Sequence, residues 1–183
     1  KVTGVDVSEE MLAAAQEKAI EKRLNIRFLK EDMTKLSSFE KVDFITVVND
    51  GINYIEPKKR VKTFKNFYKC LKKGGVLLFD FSTKYKLENV IGNELFAEDS
   101  ENCSYLWFNK LFCDRVEMEL SVFKKKKNGL YKKKEEKHTQ YIMTDKEILS
   151  ELKESSFTAF CENFLGGEAK ADSQRLQIIA IKK

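Results

Sequence analysis

The first 55 residues constrain the fold most. They hold three short β-rich apolar runs, Val2–Val5, Ile26–Leu29 and Phe44–Val48. Each closes on polar groups: Asp6 after the first, Asp32 after the second, Asn49-Asp50 after the third. Between the first two runs, Met11, Leu12, Ala15, Ala19 and Ile20 follow helical spacing. Ser8 can N-cap that stretch, with Glu9 and Glu10 in its first turn and Lys18, Lys22 and Arg23 near its end. Strand, helix and strand in this order build a parallel sheet. Ligands of open parallel sheets bind in the crevice at the carboxyl ends of the strands. Three successive strand ends with polar tips therefore point to one site, suited to a nucleoside-like cofactor. Asp6 can accept from both ribose hydroxyls, because a carboxylate offers two acceptor oxygens; capping the next helix is its plainer role. Asp32 can accept from an adenine amino group or simply close a turn.

The middle of the chain extends this pattern. Phe44–Val48 is a continuous apolar run, as expected of a strand buried on both faces. Pro57 can open a helix whose apolar face is Val61, Phe64, Phe67, Tyr68 and Leu71, with Gly74-Gly75 as its stop. Val76–Phe81 is the next buried strand, ending around Asp80. The pattern changes after Thr83. Tyr85–Ile91 reads as a short helix and Tyr105–Phe112 as an aromatic strand holding the single tryptophan, Trp107. Val116, Met118, Leu120 and Val122 alternate with polar residues, and Asn128-Gly129 is a hairpin turn leading back through Leu130–Tyr141. Residues 86–141 thus read as an inserted antiparallel β meander. Thr144-Asp145-Lys146-Glu147 is a capping box before a last helix. Phe157–Phe164 and Leu176–Ile181 are two closing strands joined by a polar loop. Residues 1–85 and 142–183 then form one domain, and 86–141 a lid upon it.

Composition narrows the classes. Of 183 residues, 42% are hydrophobic, which fits a folded domain rather than disorder. No apolar run approaches the roughly 18–20 residues needed to span a bilayer. The four cysteines lack CxxC spacing and there is one histidine, so neither a zinc site nor a disulfide framework is expected. Free thiols fit a cytoplasmic protein. The net charge of +5 gathers largely in Lys124–Lys127 and Lys132–Lys134, a solvated hairpin tip or a patch for phosphate or nucleic acid, which is not the favoured partner.

Several stretches together resemble the class I S-adenosylmethionine-dependent methyltransferases, in particular small bacterial members with an inserted meander. GVDVSEEML resembles the family's acidic second-strand motif, FLKEDM the end of its third strand, and VDFITVVNDGINYI its fourth-strand motif. LKKGGVLLFDFST resembles its fifth strand, and TDKEILSELKESSF with SQRLQIIAIKK its final helix and closing strand pair. The resemblance implies an α/β fold: a Rossmann-like doubly wound sheet, mostly parallel, with an antiparallel last strand. It implies S-adenosylmethionine as cofactor and S-adenosylhomocysteine as product. Asp6 would bind the ribose, Val7 and Met11 would pack near the adenine, Asp32 would face its amino group, and Met33 would lie beside the ring. Asn49 and Asp50 would sit below the methionine portion. The family's glycine-rich DxGxGxG loop is absent from this chain, as are its first strand and helix. That strand is central in the family, between Val2–Val5 and Phe44–Val48. One further βα unit of roughly 40–60 residues is therefore expected upstream. Without it, this stretch is expected neither to fold stably nor to bind its cofactor well.

Methyl transfer from a sulfonium needs alignment, exclusion of water, and a base where the nucleophile carries a proton. Candidates for the acceptor side are Asn53, Tyr54, Trp107, Tyr141 and Arg175, with Asp80, Tyr85 and Tyr105 nearby. His138, Tyr54 and Asp50 are the catalytic candidates. His138 is a general base or a partly exposed strand histidine. Trp107 is a substrate platform or packing, and Arg175 a carboxylate binder or an edge cap. The acceptor is expected to be a small molecule, the protein a monomer or homodimer. Competing readings are an RNA or protein methyltransferase using the lysine-rich hairpin, a nicotinamide-dependent oxidoreductase, and a non-catalytic cofactor-binding protein.

Overall fold

Caps fix where the helices begin in the computed structural model, which describes residues 1–36, 40–164 and 166–183. Strand β1 (Val2–Asp6) leads into helix α1 (Glu9–Glu21), whose N-cap Ser8 accepts from the Met11 N–H. Strand β2 (Ile26–Lys30) returns parallel to β1, and a short 3₁₀ turn, Met33–Lys35, follows. Only Ala19 of the expected apolar face of α1 is buried; Met11 and Ile20 are exposed.

Strand β3 (Val42–Val47), a second 3₁₀ turn (Gly51–Tyr54), helix α2 (Pro57–Cys70) and strand β4 (Leu71–Ser82) form the next unit. Pro57 opens α2 as expected. The glycine pair does not end it. The helix stops at Cys70, Leu71 is already extended, and Gly74-Gly75 lie within the span of β4. There the register with β3 jumps, from Val42 opposite Leu71 to Phe44 opposite Val76. Gly74 has φ +76, and a Cβ on Gly75 would come within 2.9 Å of the Lys72 carbonyl oxygen. Both glycines thus serve a bulge between two strands. The expectation that Phe44–Val48 is buried on both faces also fails, since Phe44 and Val48 are exposed.

A π-helical turn, Lys86–Ile91, then leads into the meander. It has four antiparallel strands in sequence order: β5 (Leu95–Asp99), β6 (Cys103–Leu111), β7 (Arg115–Lys125) and β8 (Tyr131–Tyr141). The sequence pattern marked the last three and missed β5. Trp107, Leu111, Val116 and Met118 pack with Leu87 and Ile91 into a small core of their own. Helix α3 (Asp145–Glu154) follows, with the full capping box of Thr144 and Glu147. Strands β9 (Phe157–Asn163) and β10 (Arg175–Lys182) close the chain.

The sheet order is β1-β2 in one piece and β3-β4-β10-β9 in the other, with β10 antiparallel to both neighbours. Among the described residues β1 and β3 each have one edge without a ladder partner. The main core lies between the four-stranded sheet and helices α2 and α3, where Phe64, Phe67, Phe79 and Phe81 are fully buried. Burial of a side chain of this size contributes about 1.5–3 kcal/mol. Arg60 of α2 locks onto Glu151 of α3 through both Nε and Nη2.

Candidate active site

The carboxyl ends of β1, β2, β3 and β4 bring Asp6, Asp32, Asp50 and Asp80 toward one side of the molecule. Asp6 Oδ1 accepts from the Ser8 N–H at 2.8 Å, and its second oxygen has no partner among the described residues. Ser8, not Asp6, caps α1. An oxygen is therefore open at the strand end, beside Val7 and Met11, which are 63% and 61% exposed. An open carboxylate next to uncovered apolar surface fits a ribose carrying a flat aromatic base.

Asp32 caps the first 3₁₀ turn by accepting from the Thr34 N–H at 2.9 Å and the Thr34 hydroxyl at 2.8 Å. Burial works against its charge. The Thr34 bonds, with Lys35 nearby, outweigh that and hold the carboxyl below its ordinary value. Thr34 uses only Oδ1, while Oδ2 faces the ammonium of exposed Lys35 at 3.7 Å. Met33 packs against the main core, and a Cβ on Gly51 would lie 3.7 Å from its terminal methyl. The tight approach at Gly51 is to Val47, whose Cγ1 would lie 2.9 Å from that Cβ.

Asn49 and Asp50 both take left-handed backbone angles, φ +56 and φ +48. Such angles in consecutive non-glycine residues store strain, held here by the surroundings. The Asp50 N–H donates to Asp80 Oδ2 at 2.8 Å. Asp50 Oδ2 in turn accepts from the Ser82 hydroxyl at 2.7 Å and from Gln140 Nε2 at 2.9 Å. Gln140 lies on β8, so this bond ties the meander to the end of β3. Lys86 Nζ reaches Ser82 Oγ at 3.1 Å.

Beside this network is a cavity of about 340 Å³ whose walls include Asp32, Tyr54, Lys59, His138 and Tyr141. Tyr54 meets His138 edge-on, with ring centroids 6.1 Å apart. Desolvation raises the Tyr54 phenol above its ordinary range; the Gln140 side chain draws it back and Asp50 adds to the rise. His138 Nε2 lies 3.2 Å from Glu136 Oε2.

Three expected acceptor-side residues have other surroundings. Asn53 is fully buried: its Nδ2 donates to the carbonyls of Ser82 and Tyr141, and its Oδ1 accepts from the Ser82 N–H. It fastens β8 to β4 and presents nothing to the cavity. Trp107 packs on Phe96 and the meander core. Arg175 gives Nε and Nη2 to Asp80 Oδ2, at 2.7 and 2.6 Å, and lies over the Phe164 ring. Of the two roles open to Arg175, this contact is a pairing within the sheet. Gln140, Ser82 and Glu136 are the residues sequence reading missed. Strand alternation could have found two of them, because Glu136, His138 and Gln140 share one face of β8.

Comparison with known proteins bears on what such a crevice holds. A methyltransferase-domain model matches residues 1–75. A protein of Geobacillus sp. (strain WCH70), named "Putative methyltransferase", is 33% identical over 99% of this chain and 75% of its own length. "Putative methyltransferase YqeM" of Bacillus subtilis (strain 168) is 33% identical over 96% of this chain and 73% of its own. An S-adenosylmethionine-dependent methyltransferase from Clostridium acetobutylicum, solved by crystallography, superposes with a TM-score of 0.93 at 30% identity, covering this whole chain and 75% of that one. These likenesses displace the nicotinamide reading. The open carboxylates, the sheet order and the relatives agree, and the chain belongs to the class I S-adenosylmethionine-dependent methyltransferases.

Proposed function

We propose that this methyltransferase acts on a small molecule held in the cavity between Tyr54, His138 and Tyr141, under the meander. One observation carries the reading: a single cavity has Asp32 on the cofactor side and the lid residues His138 and Tyr141 on the other. Its volume of about 340 Å³ suits a small acceptor rather than a polymer. The cofactor, when bound, supplies a methyl group made electrophilic by its sulfonium.

The residues divide the work. Asp6 takes the ribose hydroxyls through its open oxygen, and Asp32 takes the adenine amino group. Val7, Met11 and Met33 cover the base, while Asn49 and Asp50 lie below the methionine portion and the transferring methyl group. The domain of residues 1–85 and 142–183 binds the cofactor, and residues 86–141 close over the acceptor and keep water out. His138, steadied by Glu136 and by the edge of Tyr54, takes the proton from the acceptor. The lysine-rich hairpin gives less support to an RNA or protein acceptor. Lys133 pairs with Glu135, and Lys134 with Glu10 and Glu136.

Transfer of labelled methyl from S-adenosylmethionine into a small-molecule cell extract tests this reading. Label in low-molecular-weight products, lost in His138→Ala, is the expected result. Label found only in RNA or protein would contradict it.

A further inference from the structure

Gln140 is 3% exposed, and its side-chain oxygen Oε1 has no hydrogen-bond partner, although Nε2 of the same amide donates to Asp50. Buried amide oxygens in folded proteins are nearly always satisfied, so an orphan asks for a donor from elsewhere. The neighbouring carboxylate repeats the pattern. Both side-chain bonds to Asp50 fall on Oδ2, and Oδ1 accepts from no described residue. Both donors are neutral. Lys86 stops at Ser82 Oγ, and Arg175 gives its bonds to Asp80. The end of β3 thus holds an amide oxygen lacking a donor and a carboxylate lacking a directly contacting cation.

We propose that the methyl acceptor is an amine, whose N–H groups are taken by Gln140 Oε1 and the Asp50 carboxylate. This rests on the methyltransferase reading and names the substrate class from two groups at the end of β3, next to the cavity walled by Tyr54 and His138. A hydroxyl brings one hydrogen and no charge. An ammonium brings several donors and the positive charge that an uncompensated carboxylate favours. His138 stands on the same face of β8, two residues from Gln140, about 7 Å along the strand. The bound ammonium gives one proton to the imidazole of His138. Its freed lone pair forms the N–C bond to the methyl group. The C–S bond breaks with its electron pair left on sulfur, and the new N-methyl ammonium carries the positive charge. Gln140 also fixes the lid to Asp50, so amine recognition and lid closure use one side chain.

Methylammonium is the probe, with methanol and acetate as controls of similar size, titrated into the full-length protein saturated with S-adenosylhomocysteine. Methylammonium should bind at least tenfold more tightly than either control. Gln140→Met should lower that affinity at least tenfold while changing S-adenosylhomocysteine affinity less than threefold. Asp50→Asn, which keeps the side-chain shape, should also weaken methylammonium and serves where Gln140→Met does not fold. Absence of methylammonium binding, preference for methanol or acetate, or undiminished binding in both variants overturns the proposal. Failure of S-adenosylhomocysteine to bind the unaltered protein is a separate result, and it overturns the cofactor reading instead.

Discussion

At the scale of single residues, Asp6 and His138 are expected to separate cofactor binding from chemistry. Asp6 offers a carboxylate oxygen with no partner among the described residues, and hydrogen bonds to charged groups contribute about 1.5–3 kcal/mol each. Asp6→Ala should therefore weaken S-adenosylhomocysteine binding by about tenfold to a hundredfold, read by calorimetry. His138→Ala should leave that affinity within about twofold while lowering the transfer rate by about 10²-fold or more, the usual range for a general base. Asp32 adds a pH dependence. Its folded carboxyl is held below the ordinary value, so its charge is present above the unfolded value and is lost as pH falls through the lower, folded one. Cofactor affinity should hold steady from neutral pH down past the ordinary aspartate range and fall only in stronger acid. A loss already complete near pH 6 would contradict this role for Asp32. At this scale the sequence showed the carboxylates well, because each stands where an apolar run ends. It did not show which of their oxygens are free. Nor did it show that Asn53 and Arg175 are engaged inside the fold, because their partners, Ser82, Tyr141 and Asp80, are 29 or more positions away and meet them only on folding.

At the scale of elements, local chemistry was legible where it was self-contained. The α3 cap lies within four consecutive residues, Thr144 to Glu147, and forms as written. Backbone bonding from Thr144 also holds Glu147 below its ordinary value, against the effect of burial. Thr144→Ala should cost about 1 kcal/mol in chemical denaturation, the usual value for a lost N-cap. Gly74-Gly75 looked like a helix stop because glycine after a helix commonly is one. Their real task depends on β3, since the Asp43 carbonyl oxygen would sit 3.1 Å from a Cβ on Gly75. Gly75→Ala should then destabilise by about 1–3 kcal/mol, as forced overpacking does. An unchanged denaturation midpoint would show that the bulge yields more easily than its contacts indicate. Strand β5 escaped because Leu95–Asp99 is short, with a polar end and no strict alternation. Its strand character comes from pairing with β6.

At the scale of the molecule, hydrogen bonds and an ion pair join the meander to the crevice. Gln140 and Asn53 fasten β8 at its C-terminal end, and Lys134 meets Glu10 of α1 at 2.7 Å farther along the same strand. The Lys134 pair is exposed and contributes little on its own. The buried amides are therefore expected to govern how firmly the meander is seated. Among the described residues β1 and β3 each keep one edge without a ladder partner, which is costly for backbone groups that are buried. Residues 1–183 expressed alone should bind S-adenosylhomocysteine at least about a hundredfold more weakly than the full-length protein. Equal affinity would mean that the crevice is complete as it stands.

The most direct test of the central claim is calorimetric titration of the full-length protein, unaltered and as Asp6→Ala and His138→Ala, with S-adenosylhomocysteine. Binding to the unaltered protein, sharply weaker in Asp6→Ala and unchanged in His138→Ala, is the predicted result. Equal loss in both variants, or none in Asp6→Ala, would place the cofactor somewhere other than the crevice between Asp6 and Asp50.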